Sequence, residues 1–114
     1  MALVLVVEDE FLVRMNAVDL IKQAGHEVLE AADADEAIRI LESRNDIGIV
    51  FSDFQMPGTM DGARLLQVIH RRWPPIRLIL TSGRALSPNA TLPGGSVFLP
   101  KPYSFDALQS ILAR

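Results

Sequence analysis

"IVFSDFQMPGTMDG", residues 49–62, is the stretch on which the reading of this chain turns. An apolar run over residues 47–51 breaks off at Ser52-Asp53, and Met56-Pro57-Gly58 then forces a turn. Acidic residues are poor strand formers. Asp53 is therefore either a turn residue or a chemical group carried on a rigid stem, and the flanking sequence has to decide which.

Outward from this stretch the chain alternates between two periodicities. Residues 3–7 form an unbroken β-rich run, as expected of a strand covered on both faces. A helix follows over residues 11–24, with Val13, Ala17, Leu20, Ile21 and Ala24 on one face and Gly25 where a C-terminal cap belongs. Residues 28–31 are a short strand. Asp33 and Glu36 have capping-box spacing ahead of the stripe Ala34, Ala37, Ile38 and Leu41. Beyond the opening stretch, Asp61 can cap a helix whose face is Leu65, Leu66, Ile69 and Trp73, and Pro74-Pro75 ends it. Residues 76–80 and 96–99 read as strands. Ser104 can cap a last helix carrying Phe105, Leu108, Ile111 and Leu112.

Strand–helix alternation of this kind predicts an α/β domain with a parallel sheet and helices on both faces. Ligands in such sheets bind beyond the carboxyl ends of the strands. Those ends carry Glu8-Asp9-Glu10, then Asp53, then Thr81-Ser82-Gly83, then Lys101 between Pro100 and Pro102. Taken singly, each has a plain reading. Asp53 suits a turn or cap, Glu8 and Asp9 suit the first turn of a helix, Thr81-Ser82-Gly83 suits a turn, and Lys101 suits solvent. Their joint fall on one predicted sheet edge is what carries weight.

Two carboxylates about 4 Å apart repel by roughly 4 kcal/mol at an effective dielectric near 20. A cation must offset that, or one group takes up a proton. Lys101 supplies one charge, and hard carboxylate oxygens suit Mg²⁺, which accepts phosphate as a co-ligand. A carboxylate can also act as a nucleophile toward a phosphoryl group, whose oxygens the metal, the lysine and a Thr81 hydroxyl would then hold.

Composition excludes several classes. The 114 residues suit one domain. There is no cysteine, so neither a disulfide frame nor a zinc–thiolate site is possible. The net charge is −3, and basic residues are scattered apart from His70-Arg71-Arg72, so no basic stripe for nucleic acid is expected. The opening apolar run is far shorter than the roughly 20 residues of a membrane span. His70, in the last turn of a helix, reads as a dipole-complementing charge. His26 reads as a turn residue, Met56 as packing under the loop, and Trp73 as the closure of the core edge.

With "VVEDE", "SDFQMPGTMDG", "LTSG" and "FLPKPY" in place, the chain resembles the receiver domain of two-component response regulators, the CheY-like superfamily, over almost its whole length. The resemblance implies a flavodoxin-like five-stranded parallel sheet of order 2-1-3-4-5, as one receiver domain over residues 1–114. It implies Asp53 as phosphoryl acceptor, with Glu8, Asp9, Asp53 and the backbone carbonyl of Gln55 around Mg²⁺. Thr81 is implied as the switching hydroxyl, Lys101 as the phosphate-pairing lysine, Phe98 as the aromatic switch residue, and the Lys101-Pro102 bond as cis. A histidine kinase or phosphotransfer protein is the implied donor. The expected setting is cytoplasmic, without membrane or nucleic-acid contact. The domain would catalyse only its own phosphorylation and slow dephosphorylation, and is not expected to be an enzyme otherwise. No output domain follows Arg114 in this sequence: a natural product of this length is expected to be a stand-alone receiver, and an excised piece would lack a neighbour.

This sequence also departs from the family pattern. Glu8 stands where Asp is commoner, and "MPGTMDG" is about one residue longer than usual. Gln55 and Gly83 occupy positions that tune hydrolysis in the family. The segment "SGRALSPNATLPGGSVF" is the largest departure. Receivers have a regular helix there, but Pro93 arrives five residues after Pro88, removing a donor and clashing with the carbonyl of Asn89. Leu92 is pushed from helical angles by the proline after it, and Gly94-Gly95 lower the propensity further. At most one turn over residues 88–92 is expected, with that helix degenerate or replaced by loop. Two alternatives stay open: a pseudo-receiver scaffold that never takes phosphate, and an aspartate-nucleophile phosphohydrolase. Gln55 argues against the hydrolase because it cannot protonate a leaving group.

Overall fold

Among the described residues nine elements follow one another: β1 (Leu3–Val7), α1 (Phe11–Gln23), β2 (Glu27–Ala31), α2 (Ala34–Ser43), β3 (Ile49–Asp53), α3 (Gly62–Arg72), β4 (Arg77–Ser82), β5 (Val97–Pro100) and α4 (Phe105–Leu112). They come from a computed structural model that describes residues 2–56, 60–83 and 92–114. All five strands are parallel, in the order β2-β1-β3-β4-β5. This is the doubly wound arrangement expected from the sequence.

Side chains alternate across a strand with period two, and the core splits accordingly. Leu5, Val7, Val50, Leu78 and Leu80 face α2 and α3, meeting Ala34, Ala37, Leu41, Leu65, Leu66 and Ile69. Val4, Val6, Ile49, Phe51, Ile79 and Leu99 face α1 and α4, meeting Ala17, Val18, Ile21, Leu108, Ile111 and Leu112. Burial of both strand faces explains the unbroken apolar runs. Truncating a leucine such as Leu66 or Leu80, both wholly buried, would cost about 2–5 kcal/mol.

The helix ends use the signals read in the sequence. Asp33 accepts from the Glu36 amide at 2.8 Å, and Glu36 reaches back to the Ala32 amide at 2.7 Å. Asp61 accepts from the Arg64 amide and Ser104 from the Ala107 amide. Gly25 closes α1 with φ +94°, a conformation that favours glycine. Trp73 stacks under the Arg72 guanidinium, 4.4 Å from its centroid, where the proline pair ends α3. Met56 packs against the α2/α3 core, and His70 is exposed in the last turn of α3. His26 does more than turn the chain, because its Nδ1 accepts the Ala2 amide at 3.0 Å.

Two strand ends differ from the expectation in a way that matters. β3 covers residues 49–53 rather than 47–51, and β4 runs on to Ser82. Backbone pairing with β4 carries the strand through Ser52 and Asp53 in spite of their low propensity, as tertiary pairing can. Residues 84–91, where the shortened helix was expected, lie outside the described residues. Residues 92–96 are not helical, and Gly94-Gly95 form a turn closed by the Ser96 amide on the Pro93 carbonyl.

Candidate functional site

Asp53 is the last residue of β3, not a turn residue, and is 9% exposed. Its Cα partner on β4 is Thr81. By the alternation, Asp53 lies on the same face as Ile49 and Phe51, and Thr81 on the same face as Ile79. Both therefore belong to the α1/α4 side. Glu8 follows Val4 and Val6 on that side, and Lys101 follows Val97 and Leu99. Four strand ends thus deliver side chains of one parity to one edge.

The carboxylates of Glu8, Asp9 and Asp53 each place an oxygen within 4.8 Å of the others. Lys101 Nζ lies 3.2 Å from Glu8 Oε1 and 3.6 Å from Asp53 Oδ1. The second Glu8 oxygen accepts the Glu10 amide at 3.2 Å. Glu8 is 5% exposed while Asp9 is exposed. Burial pushes the Glu8 carboxyl up to about 7, and the neighbouring Asp53 charge adds to this, against the Glu10 amide and Lys101. Among the described residues one lysine stands against a cluster of three carboxylates, a charge imbalance that a further cation would relieve.

Thr81 Oγ1 is buried and has no hydrogen-bond partner among the described residues. An unpaired buried hydroxyl costs about 1–3 kcal/mol, and this one stands in register with Asp53. Ser52, on the opposite face, is spent on the Asp53 carbonyl at 3.0 Å. The Lys101-Pro102 bond is cis, as the resemblance implied.

The start of α3 sits against Asp53. The Gly62 amide donates to the Phe54 carbonyl at 2.9 Å. A Cβ at Gly62 would collide with the Asp53 carbonyl oxygen and Phe54 Cα. The Asp-Gly pair at 61–62 is thus explained by a cap followed by a close backbone approach.

Of the other expected residues, Phe98 stands on the far face of the sheet from this cluster. Gln55 is exposed, two residues past Asp53. Phe98 pairs with Leu80 in register and packs against the α2/α3 core, on the opposite side of the sheet from Thr81.

Two neighbours escaped the reading of the sequence. Tyr103 packs edge-on against Phe51, ring centroids 5.9 Å apart. Burial, with the Glu8 and Asp53 charges behind it, pushes its phenol up to about 12. Arg14 donates from Nη1 to the Glu8 carbonyl at 2.8 Å and from Nε to Glu30 at 3.0 Å. A signal for Arg14 existed: a cation in the first turn of a helix opposes the macrodipole, so a tertiary partner was to be expected.

A family model described as the response regulator receiver domain matches residues 4–113. The chain is 42% identical over 111 residues to the sensor kinase CckA of Brucella abortus, covering 94% of this chain and 12% of that protein. It is 36% identical over 118 residues to the response regulator protein FleR of Pseudomonas aeruginosa, covering 99% of this chain and 24% of that protein. The crystal structure of a response regulator receiver domain protein from Clostridium thermocellum superposes with a TM-score of 0.90 at 30% identity, covering 99% and 92% of the two chains. The chain thus spans an eighth to a quarter of these curated relatives. Among the described residues, no helix is long and apolar enough to cross a membrane.

Proposed function

This chain belongs to the response regulator receiver family, and we propose that it acts as the phosphoacceptor of a two-component phosphorelay, with Asp53 as the acceptor. The observation that carries the proposal is the joint approach of Glu8, Asp9, Asp53 and Lys101 beside a buried Thr81 hydroxyl that has no partner among the described residues.

The donor set suits Mg²⁺: clustered hard oxygens, in part exposed, with room for water. Glu8, Asp9, Asp53 and the Gln55 carbonyl would hold it. When bound, the ion supplies positive charge against the phosphoryl oxygens. A carboxylate oxygen of Asp53 attacks phosphorus, forming an O–P bond. The P–N bond to a phosphohistidine on a histidine kinase or phosphotransfer protein breaks, and the electron pair leaves with the imidazole. Lys101 is free to turn from Glu8 toward the transferred group, and Thr81 donates its hydroxyl to a phosphoryl oxygen. That movement at Thr81 is the switch, read on the far side of β5 through Phe98, which alters the binding of a downstream protein. Water later hydrolyses the acyl phosphate. The setting is cytoplasmic, where such kinases present phosphohistidine.

Incubation with Mg²⁺ and acetyl phosphate, followed by intact mass, tests this. One phosphate adduct, absent in Asp53→Asn and without Mg²⁺, is expected. No adduct with a proven kinase donor would favour a scaffold. Multiple turnover of a phosphomonoester would favour a hydrolase, against which Gln55 stands because its amide is too weakly acidic to protonate a leaving group.

A further inference from the structure

Arg14 has no part in the chemistry just described, yet among the described residues it is a closely engaged cation near the site. It lies in the first turn of α1, with its side chain 15% exposed. Its guanidinium joins three elements. Nη1 donates to the Glu8 carbonyl at the end of β1, and Nε donates to Glu30 on β2. Phe11 covers it at 5.5 Å from the ring centroid. The Glu8 amide meanwhile donates to the Ala31 carbonyl at 3.0 Å.

The Glu8 carbonyl belongs to the planar peptide unit that also carries the Asp9 amide. Holding that oxygen fixes the plane, and with it the direction in which the chain presents the two acidic residues. Lys101 and the Glu10 amide hold the Glu8 side chain from the other side. The loop that bears Glu8 and Asp9 is thus gripped at its backbone by Arg14 and at its carboxylate by Lys101. Only a forked donor spans two acceptors on different strands in this way, so lysine would not replace arginine here.

We propose that Arg14 is a positioning residue: its guanidinium fixes the Glu8–Asp9 peptide unit and so sets the affinity of the acidic cluster for Mg²⁺. This rests on the reading of that cluster as a cation site. The sign of the effect separates positioning from plain electrostatics. Removing a positive charge near clustered carboxylates should strengthen Mg²⁺ binding if only Coulomb forces act. Loss of positioning weakens it.

The test uses Arg14→Lys and Arg14→Met, with Glu30→Gln as a variant that keeps the Glu8 contact. Mg²⁺ is titrated alone while the amide resonances of Asp9 and Asp53 are followed by NMR. Amide hydrogen exchange at Asp9 and Glu10 is measured without metal. Both Arg14 variants are expected to bind Mg²⁺ about tenfold more weakly, the lower end for outer partners of metal ligands. Exchange at Asp9 and Glu10 should quicken while β3 and β4 stay protected, and Glu30→Gln should lie near wild type. Should Arg14→Met fail to fold, Arg14→Lys carries the test. Wild-type affinity and exchange in Arg14→Lys, or tighter binding in Arg14→Met, would overturn the proposal alone. A wild-type protein that shows no shift with Mg²⁺ would overturn the cation-site reading and this proposal together.

Discussion

Lys101 Nζ stands closer to Glu8 than to Asp53, at 3.2 Å against 3.6 Å. The lysine therefore bridges two carboxylates that would otherwise repel across the site. Removing it leaves the buried Glu8 and Asp53 carboxyls without that cation, and proton uptake by Glu8, whose carboxyl is already pushed up to about 7, offsets part of the loss. Lys101→Met should cost about 2 kcal/mol in urea unfolding without metal, less than a fully buried pair because the lysine is one-quarter exposed. Glu8→Gln removes one of the repelling charges and should leave stability near wild type while weakening Mg²⁺ binding. A Lys101→Met protein as stable as wild type would refute the bridging role.

Gly62→Ala should destabilise the protein by about 3 kcal/mol. The added methyl meets backbone atoms of Asp53 and Phe54 rather than a movable side chain, and overpacking that cannot relax costs up to about this much. Shifted amide signals at Asp53 and Phe54 should accompany the loss. An unshifted, fully stable variant would contradict the close approach.

Thr81→Val should raise stability, by about 1 kcal/mol, because it removes a buried hydroxyl with no partner among the described residues. The same change should cost function. Asp53 should still take phosphate, but the accompanying change in amide signals around Phe98 should vanish. Thermal unfolding and NMR with a phosphate mimic read the two effects, and a variant that is less stable yet still switches would count against this.

Tyr103 makes stability fall at alkaline pH. Its phenol titrates near 12 when folded and near the ordinary 10 when unfolded. The unfolded chain therefore releases its proton first, so this contribution is complete below about pH 10 and is lost as pH rises toward 12. Tyr103→Phe should flatten that part of the curve. Ultraviolet titration of the folded protein, with Tyr103 as its sole tyrosine, should show the delayed ionisation.

Much of this was legible locally. The alternation of periods two and 3.6, the caps at Asp33, Asp61 and Ser104, and the punctuation by Gly25 and Pro74-Pro75 depend on neighbours a few residues away, so a short window of sequence contains them. The acidic run at residues 8–10 and the lysine between two prolines announced a site for the same reason. The strand order and most of the roles came from the resemblance rather than from the residues alone.

What only the tertiary structure decided is where these groups meet. Asp53 looked as much like a turn as a strand residue, and pairing with Thr81 on β4 resolved it. Glu8 and Lys101 lie 93 positions apart, and the register of four parallel strands sets their 3.2 Å approach. Arg14 took its meaning from Glu8 and Glu30, and Gly62 from the Asp53 carbonyl, neither of which its own helix supplies. Local hydrogen bonding and burial periodicity select the elements. Distances between elements follow from how both sheet faces bury their leucines, valines and isoleucines together, and that joint constraint is written in no single stretch of the chain.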